Sequence, residues 1–205
     1  MTSVLTGDII NSRNAETDKW LKLLKQALDE IGSSPKSWEI YRGDSFQAEV
    51  ANPVEALRHA IDIKASVKQM KGVDVRLCIG IGTKAFDAPS ISESNGDAFI
   101  RSGEGYEQLS SQKQNLLIKS PNTAFDEEMN LYIRLLLIVM DNWTQKSAEY
   151  VKLSFTGNLK QEEIAKRLGI SQSSVSERHK RAYLDEVRSV EKRYRERIEK
   201  GGLTV

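Results

Sequence analysis

The chain has 205 residues, 39% hydrophobic and 29% charged, which is ordinary for a soluble globular protein and leaves room for two small domains. Nothing at the N-terminus resembles a signal peptide, because Met1-Thr-Ser-Val-Leu-Thr-Gly-Asp has neither a basic start nor a long apolar stretch. The most apolar run, 131–140, is interrupted by Arg134 and, at about ten residues, is too short to span a bilayer. The expectation is no membrane association and a cytoplasmic location. Cys78 is the only cysteine, so no intrachain disulfide can form, which suits a reducing compartment; between Leu77 and Ile79 it reads as core. The net charge of +1 hides an asymmetry. Residues 144–205 hold 14 Lys+Arg against 9 Asp+Glu, while residues 1–143 carry a net −4. A basic tail attracts phosphate backbones; an acidic first part can hold a cation or simply be solvated.

In chain order, Val4-Leu5 opens a strand that ends at Gly7-Asp8. Trp20, Leu21, Leu24, Leu28 and Ile31 recur at helical spacing, predicting a helix over 17–31 that stops at Gly32-Ser-Ser-Pro35. Two strand-like runs, 38–41 and 45–50, flank Arg42-Gly43-Asp44 as a hairpin. Pro53 suits the first turn of a helix over 53–70, with Val54, Leu57, Ile61 and Val67 inward. A strand over 73–81, a polar loop over 83–97, a helix over 98–109 and a short strand over 116–118 follow. Interleaved helices and a mostly antiparallel sheet predict an α+β fold close to the ferredoxin-like plan. From Thr123 onward the signals are all helical. The reading is therefore an α+β domain over 1–120, a connecting apolar helix over 121–142 and a helical domain over 143–205, with Ser120-Pro-Asn at the boundary.

Within the helical part, Ile164, Ala165 and Leu168 share one face of a helix over 159–168, and Gly169 stands where a left-handed residue must end it. Ile170 fills the angle, and Ser171 is a good N-cap for a second helix over 172–183, with Val175 inward. Gly-Ile-Ser between two such helices predicts a helix-turn-helix. Two amphipathic helices that merely pack are the bland alternative. The outward positions of the second helix are Gln172, Ser173, Ser176, Glu177 and Lys180, residue types that can read base edges. Arg178, Lys180 and Arg181 are expected at phosphates, and His179 at the surface. Beyond them, Val187, Val190, Tyr194 and Ile198 form a narrow seam on a final helix, which can pair with a second chain or fold back.

The stretch Trp143-Thr-Gln-Lys-Ser-Ala-Glu-Tyr-Val-Lys-Leu-Ser-Phe-Thr-Gly-Asn-Leu-Lys-Gln-Glu-Glu-Ile-Ala-Lys-Arg-Leu-Gly-Ile-Ser-Gln-Ser-Ser-Val-Ser resembles the region 4 helix-turn-helix of sigma-70-type factors. The resemblance implies double-stranded DNA as partner, read by residues 172–180. No other sigma region is visible in the sequence.

Asp8 and Asp44 stand out in the first part. Each suits a turn; two carboxylates converging across a hairpin would also suit a shared hard cation such as Mg²⁺. Thr6-Gly-Asp-Ile-Ile, Trp38-Glu-Ile-Tyr-Arg-Gly-Asp-Ser-Phe-Gln, Val75-Arg-Leu-Cys-Ile-Gly-Ile-Gly and Ser94-Asn-Gly-Asp-Ala-Phe resemble, in that order, the layout of class III nucleotidyl cyclases. The resemblance implies metal ligands at Asp8 and Asp44 and a base contact at Glu93. It also exposes departures. The positions of the cyclase Asn and Arg that stabilise the transferring phosphate hold Ile100 and Glu104, and a base-reading position holds Ile40. Losing such charge stabilisation costs about a hundredfold or more in rate. A nucleotide-sensing or dimerising domain is thus expected before a working cyclase, with an active cyclase or nucleotide polymerase as the alternative. The combination with a helix-turn-helix, and the opening Gly7-Asp-Ile-Ile-Asn-Ser-Arg, resembles the SatD family of bacterial proteins. A homodimer is expected, to which the apolar run 131–140 would contribute.

Overall fold

The structure is a computed structural model that describes residues 1–156 and 159–203. Residues 157–158, inside the sigma-like stretch, and 204–205, at the end of the helical part, lie outside the described residues. The fold is α+β: a five-stranded sheet followed by a run of helices. The sheet consists of β1 (Thr2–Ile10), β2 (Trp38–Tyr41), β3 (Ser45–Val50), β4 (Asp74–Gly82) and β5 (Leu116–Lys119), in the order β2-β3-β1-β4-β5. All neighbours are antiparallel except β4 and β5. β1 is longer than its two apolar residues Val4-Leu5 suggest, because it lies between β3 and β4 and its backbone groups have partners on both sides.

One sheet face carries α1 (Thr17–Asp29) and α2 (Ala56–Val67). Trp20, Leu24 and Leu28 on α1 are four residues apart and all buried. On β3, Phe46, Ala48 and Val50 alternate inward. The helix expected from Pro53 starts as a 3₁₀ turn, Pro53–Glu55, whose Asn52 cap accepts a hydrogen bond from the Val54 amide. α2 departs from a one-sided amphipathic helix: Asp62, Ile63 and Lys64 are buried alongside Leu57 and Ile61. The cause is a second layer, since the C-terminal helices pack on its outer side.

The other face is covered by α3 (Asp97–Gln112), which lies on β4, β1 and β5. The approach is close. A Cβ on Gly80 would stand 2.3 Å from the Ala98 carbonyl, and one on Gly105 would stand 2.3 Å from the Cys78 sulfur. Cys78 packs with Leu109 and Leu117, so it is core as expected, and burial pushes its thiol pKa up.

The remaining helices are α4 (Thr123–Met140), α5 (Gln145–Val151), α6 (Gln161–Leu168), α7 (Gln172–Ala182) and α8 (Leu184–Glu199), with a π turn, Lys152–Thr156, after α5. Among the described residues no helix is long and apolar enough to cross a membrane. The seam of α8 folds back onto its own chain: Val187 and Tyr194 are fully buried, and the Tyr194 hydroxyl donates to the Pro53 carbonyl at 2.8 Å. One continuous apolar cluster therefore runs from the sheet through α1, α2 and α4 to Ile164, Val175 and Leu184.

Ion pairs fasten the helical layer to the sheet layer. Lys64, 2% exposed, reaches Asp74 at 2.7 Å on β4 and Asp141 at 2.6 Å after α4. Lys68 joins Asp74 and the Asp141 carbonyl. Lys152 on the π turn pairs with Asp62 on α2 and Glu30 after α1. Arg195 on α8 pairs with Glu55, and Arg193 and Arg197 pair with Glu128 on α4.

Candidate nucleic-acid interface

The turn between α6 and α7 follows from its residues. The Glu163 carboxylate accepts from the Lys160 amide at 2.7 Å, filling one of the unpaired donors at the start of α6. Gly169 ends α6 with φ 63° and ψ 34°, a left-handed conformation in which a side chain would be strained. The Ile170 amide then donates to the Ala165 carbonyl, turning the chain. Ser171 caps α7 by accepting from the Ser174 amide at 3.2 Å. Ile164 and Val175 are both fully buried, so each helix contributes its inward residue to the shared core.

The outward face of α7 forms a continuous arc. At 100° per residue, positions 172, 173, 176, 177, 180 and 181 fall within one half of the helix circumference. Gln172, Ser173, Glu177, Lys180 and Arg181 are exposed and Ser176 is half-buried. The elements packed closely on α7 are α5, α6 and α8, so the sheet does not cover this arc. Exposed Lys146, Lys160, Lys166 and Arg167 add positive charge to the same helical unit.

Two residues expected at phosphates are engaged within the protein. Arg178 lies off the arc and donates to Glu149 of α5 at 2.7 Å. Arg181 lies on the arc but pairs with Glu177 one turn earlier, an exposed pair that water and salt screen. Lys180 is exposed. His179 is half-buried rather than free at the surface. Its Nδ1 shares a hydrogen bond with the Tyr150 hydroxyl at 2.9 Å, and its Nε2 meets Asp185 at 2.8 Å. It thereby joins α5, α7 and α8.

Sequence reasoning did not single out the residues that hold this unit together. Trp143 donates through Nε1 to the Ala182 carbonyl at 3.0 Å, satisfying an acceptor at the end of α7. Tyr183 stops α7 in a left-handed conformation, φ 49°, without a glycine. Neither carries a local pattern. The one available signal was the place of Trp143 at the head of the sigma-like stretch.

The carboxylates of the first part occupy different surroundings. Asp8 and Asp44 do line one shallow, open cavity of about 510 Å³, together with Asn11, Ser12, Arg13 and Arg76. Both Asp8 oxygens are engaged, however, by Arg76 at 2.9 and 3.0 Å, and this pairing raises the guanidinium pKa. Asp44 accepts from the Ser12 hydroxyl at 2.6 Å. Glu93 is exposed on a 3₁₀ turn, Ile91–Glu93, and does not line the cavity. Glu104 pairs with Lys119 at 3.0 Å, Ile100 faces solvent, and Arg101 donates to the Ile81 carbonyl. Among the described residues no group of three or more His, Cys, Asp or Glu is placed to hold a metal ion.

Two short helices around a glycine turn, a serine cap and an uncovered polar arc define a helix-turn-helix. A model of the family Sigma-70, region 4 matches residues 139–185, which takes in the end of α4, all of α5 to α7 and the start of α8. No curated protein and no solved structure gave a match.

Proposed function

We propose that the chain is a DNA-binding transcriptional regulator that inserts α7 into the major groove of a double-stranded target. The observation that carries this reading is the arc of six polar side chains, Gln172 to Arg181, five of them exposed and one half-buried, on the side of α7 away from α5, α6 and α8. Gln172, Ser173, Ser176 and Glu177 take the base edges; Lys180 and Arg181 take phosphates, Arg181 by exchanging Glu177 for the nucleic acid. Arg178 positions α7 against α5 instead of touching DNA. The protein acts in the cytoplasm as a homodimer, so that two such helices meet two half-sites. Selection of binding oligonucleotides from a random duplex pool, followed by titration at several salt concentrations, tests the reading. A complex whose affinity falls steeply with salt supports it. A chain that enriches no sequence and forms no salt-sensitive complex overturns it.

A second reading concerns the sheet layer and rests on the cavity shared by Asp8 and Asp44. The succession strand-helix-strand-strand-helix-strand with the order β2-β3-β1-β4 supports a ferredoxin-like plan of the nucleotidyl cyclase and SatD kind. In that reading the layer senses a nucleotide with Mg²⁺ between Asp8 and Asp44, Arg76 giving up Asp8 to the cation, and Glu93 contacts the base. The enzymatic alternative is a cyclase or nucleotide polymerase targeted by the helix-turn-helix. Incubation with ATP or GTP and Mg²⁺ or Mn²⁺ separates the two. Heat of binding without product supports a sensor, product lost in Asp44→Ala supports an enzyme, and neither binding nor product overturns both.

A further inference from the structure

We infer that the cleft between the start of α1 and the β2–β3 turn is a metal-free site for a phosphoryl anion, either inorganic phosphate or the end group of a phosphate monoester. Trp20 points to it. The chain has three tryptophans. Trp38 donates its indole N–H to the Gly32 carbonyl and Trp143 donates to the Ala182 carbonyl, both at 3.0 Å. Trp20 is only 2% exposed, yet its Nε1 has no partner. Among the described residues it is the only buried side-chain nitrogen in that state; the other unpartnered atoms are oxygens of Ser, Gln and Asp. A hydroxyl can rotate toward an acceptor, whereas an indole N–H points where its ring points. Buried donors are normally paired, so one left without a partner calls for an acceptor from outside the chain.

Trp20 lines a cavity of about 230 Å³, and the other walls are rich in donors. Arg13 follows β1 and Arg42 stands in the β2–β3 turn; both are exposed, and no hydrogen bond or salt bridge among the described residues engages either. α1 itself begins at Thr17 without a side-chain cap, whereas Asn122 caps α4 and Ser171 caps α7. Its first amides therefore keep free N–H groups beside the cleft. The one carboxylate on the wall, Asp44, already accepts from the Ser12 hydroxyl at 2.6 Å. Two guanidinium charges against one carboxylate leave the cleft positive. Donors from three separate segments suit a tetrahedral oxyanion better than a planar carboxylate, and guanidinium forks match phosphoryl oxygens. The volume is below the roughly 300–1,000 Å³ of a usual small-molecule pocket, so an anion or an end group enters and a whole nucleotide does not. The cation proposed between Asp8 and Asp44 plays no part in this site.

Indole ¹H–¹⁵N spectra of the full chain, titrated with inorganic phosphate or with glycerol 3-phosphate in chelator at constant ionic strength, test the inference. Trp20→Phe assigns the signal; if that variant does not fold, Trp38→Phe and Trp143→Phe assign it by elimination. The expected result is a saturating shift of the Trp20 signal while those of Trp38 and Trp143 stay in place. Arg13→Gln and Arg42→Gln, both at exposed positions, should each weaken binding about tenfold without changing the melting temperature. Asp44→Asn removes the carboxylate charge and should tighten binding, the opposite of what a cation bridge at Asp44 requires. Tighter saturation by the ester marks it as the ligand, and tighter saturation by phosphate marks the free ion. A Trp20 signal that neither probe moves overturns the inference, as do three signals moving together, a shift indifferent to both arginines, or acetate saturating as tightly as phosphate. Because no divalent cation or DNA is present, failure here leaves the cation and DNA readings standing, and their failure leaves this site standing.

Discussion

The arc on α7 and the carboxylate pair at the end of β1 were both marked by sequence, and the structure treats them differently. On α7, residues three and four apart share a face by the geometry of the helix itself, and the five outward positions named from spacing fall on one arc, exposed except for half-buried Ser176. At β1, Asp8 and Asp44 are 36 residues apart and meet only because β1 and β3 pair in register, Asp8 opposite Ser45. They do meet, but so does Arg76, which the same register sets opposite Asp8 from β4. A site built along one helix inherits its geometry from the chain. A site built across strands inherits every neighbour the sheet supplies, counter-charges included.

That contrast breaks first at the junction between the two layers. Lys64 is buried between Asp74 and Asp141, and removing it leaves the Asp141 carboxylate without an ammonium partner while Asp74 keeps Lys68. Lys64→Ala should cost about 3–5 kcal/mol, the range for breaking a buried pair. Because one apolar cluster spans both layers, the loss should appear as a single lowered melting transition. Two separated transitions, one for the sheet and one for the helices, would mean that the helix-turn-helix is energetically independent of the layer beneath it.

A smaller effect tests the turn. Gly169 is left-handed and has open space around its missing Cβ, so Gly169→Ala meets only backbone strain. The cost should be about 1–2 kcal/mol, read as a shift in denaturant midpoint at unchanged slope. A neutral substitution would show that the turn relaxes and that α6 does not fix the position of α7.

Next in size is the division of labour among three basic residues. Lys180→Ala and Arg181→Ala should each lower the slope of log affinity against log salt by about 1 and leave melting nearly unchanged. Arg178→Ala should do the reverse, lowering the melting temperature through loss of the Glu149 contact while leaving that slope in place. If Arg178 alone moved the slope, its pairing with Glu149 would yield to DNA and the arc would extend around the helix.

These tests also mark how far the sequence could be read. Apolar spacing located α1, the β2–β3 hairpin, β4 and both helices of the helix-turn-helix, because each is a local pattern with a period of 3.6 or 2. It did not show that α2 is buried all round, since Asp62 and Lys64 look like solvent-facing residues until Lys152, Asp74 and Asp141 arrive from elsewhere. It left open whether the seam of α8 serves a second chain, and the structure buries Tyr194 against the protein's own Phe125. It set Arg178 among the phosphate contacts without the Glu149 carboxylate that the structure places beside it, since charge alone carries no record of that partner. What stayed hidden in each case is a partner distant in sequence, and a one-dimensional pattern has no means of counting such partners.

The smallest effect lies in the response to acid, and it probes the layer under the helix-turn-helix instead of the interface. His59 on α2 is half-buried, with Arg58, Asp62, Glu55 and Glu30 nearby. Burial, followed by the nearby Arg58 cation, lowers its pKa below the usual 6.5, against the opposing pull of Asp62, Glu55 and Glu30. The folded state therefore resists the proton that the unfolded chain accepts. Stability contributed by neutral His59 is present above pH 6.5 and is lost as pH falls through the window below it, where the unfolded state binds more protons. Melting temperature should decline across that window in the native chain and decline less in His59→Gln, while the two coincide at neutral pH apart from a constant offset. Parallel curves would show that His59 takes up its proton equally well in both states. In that case α2 does not exclude water at this position, and the neighbouring ion pairs of Lys152 with Glu30 and Asp62 hold this corner less tightly than their distances suggest.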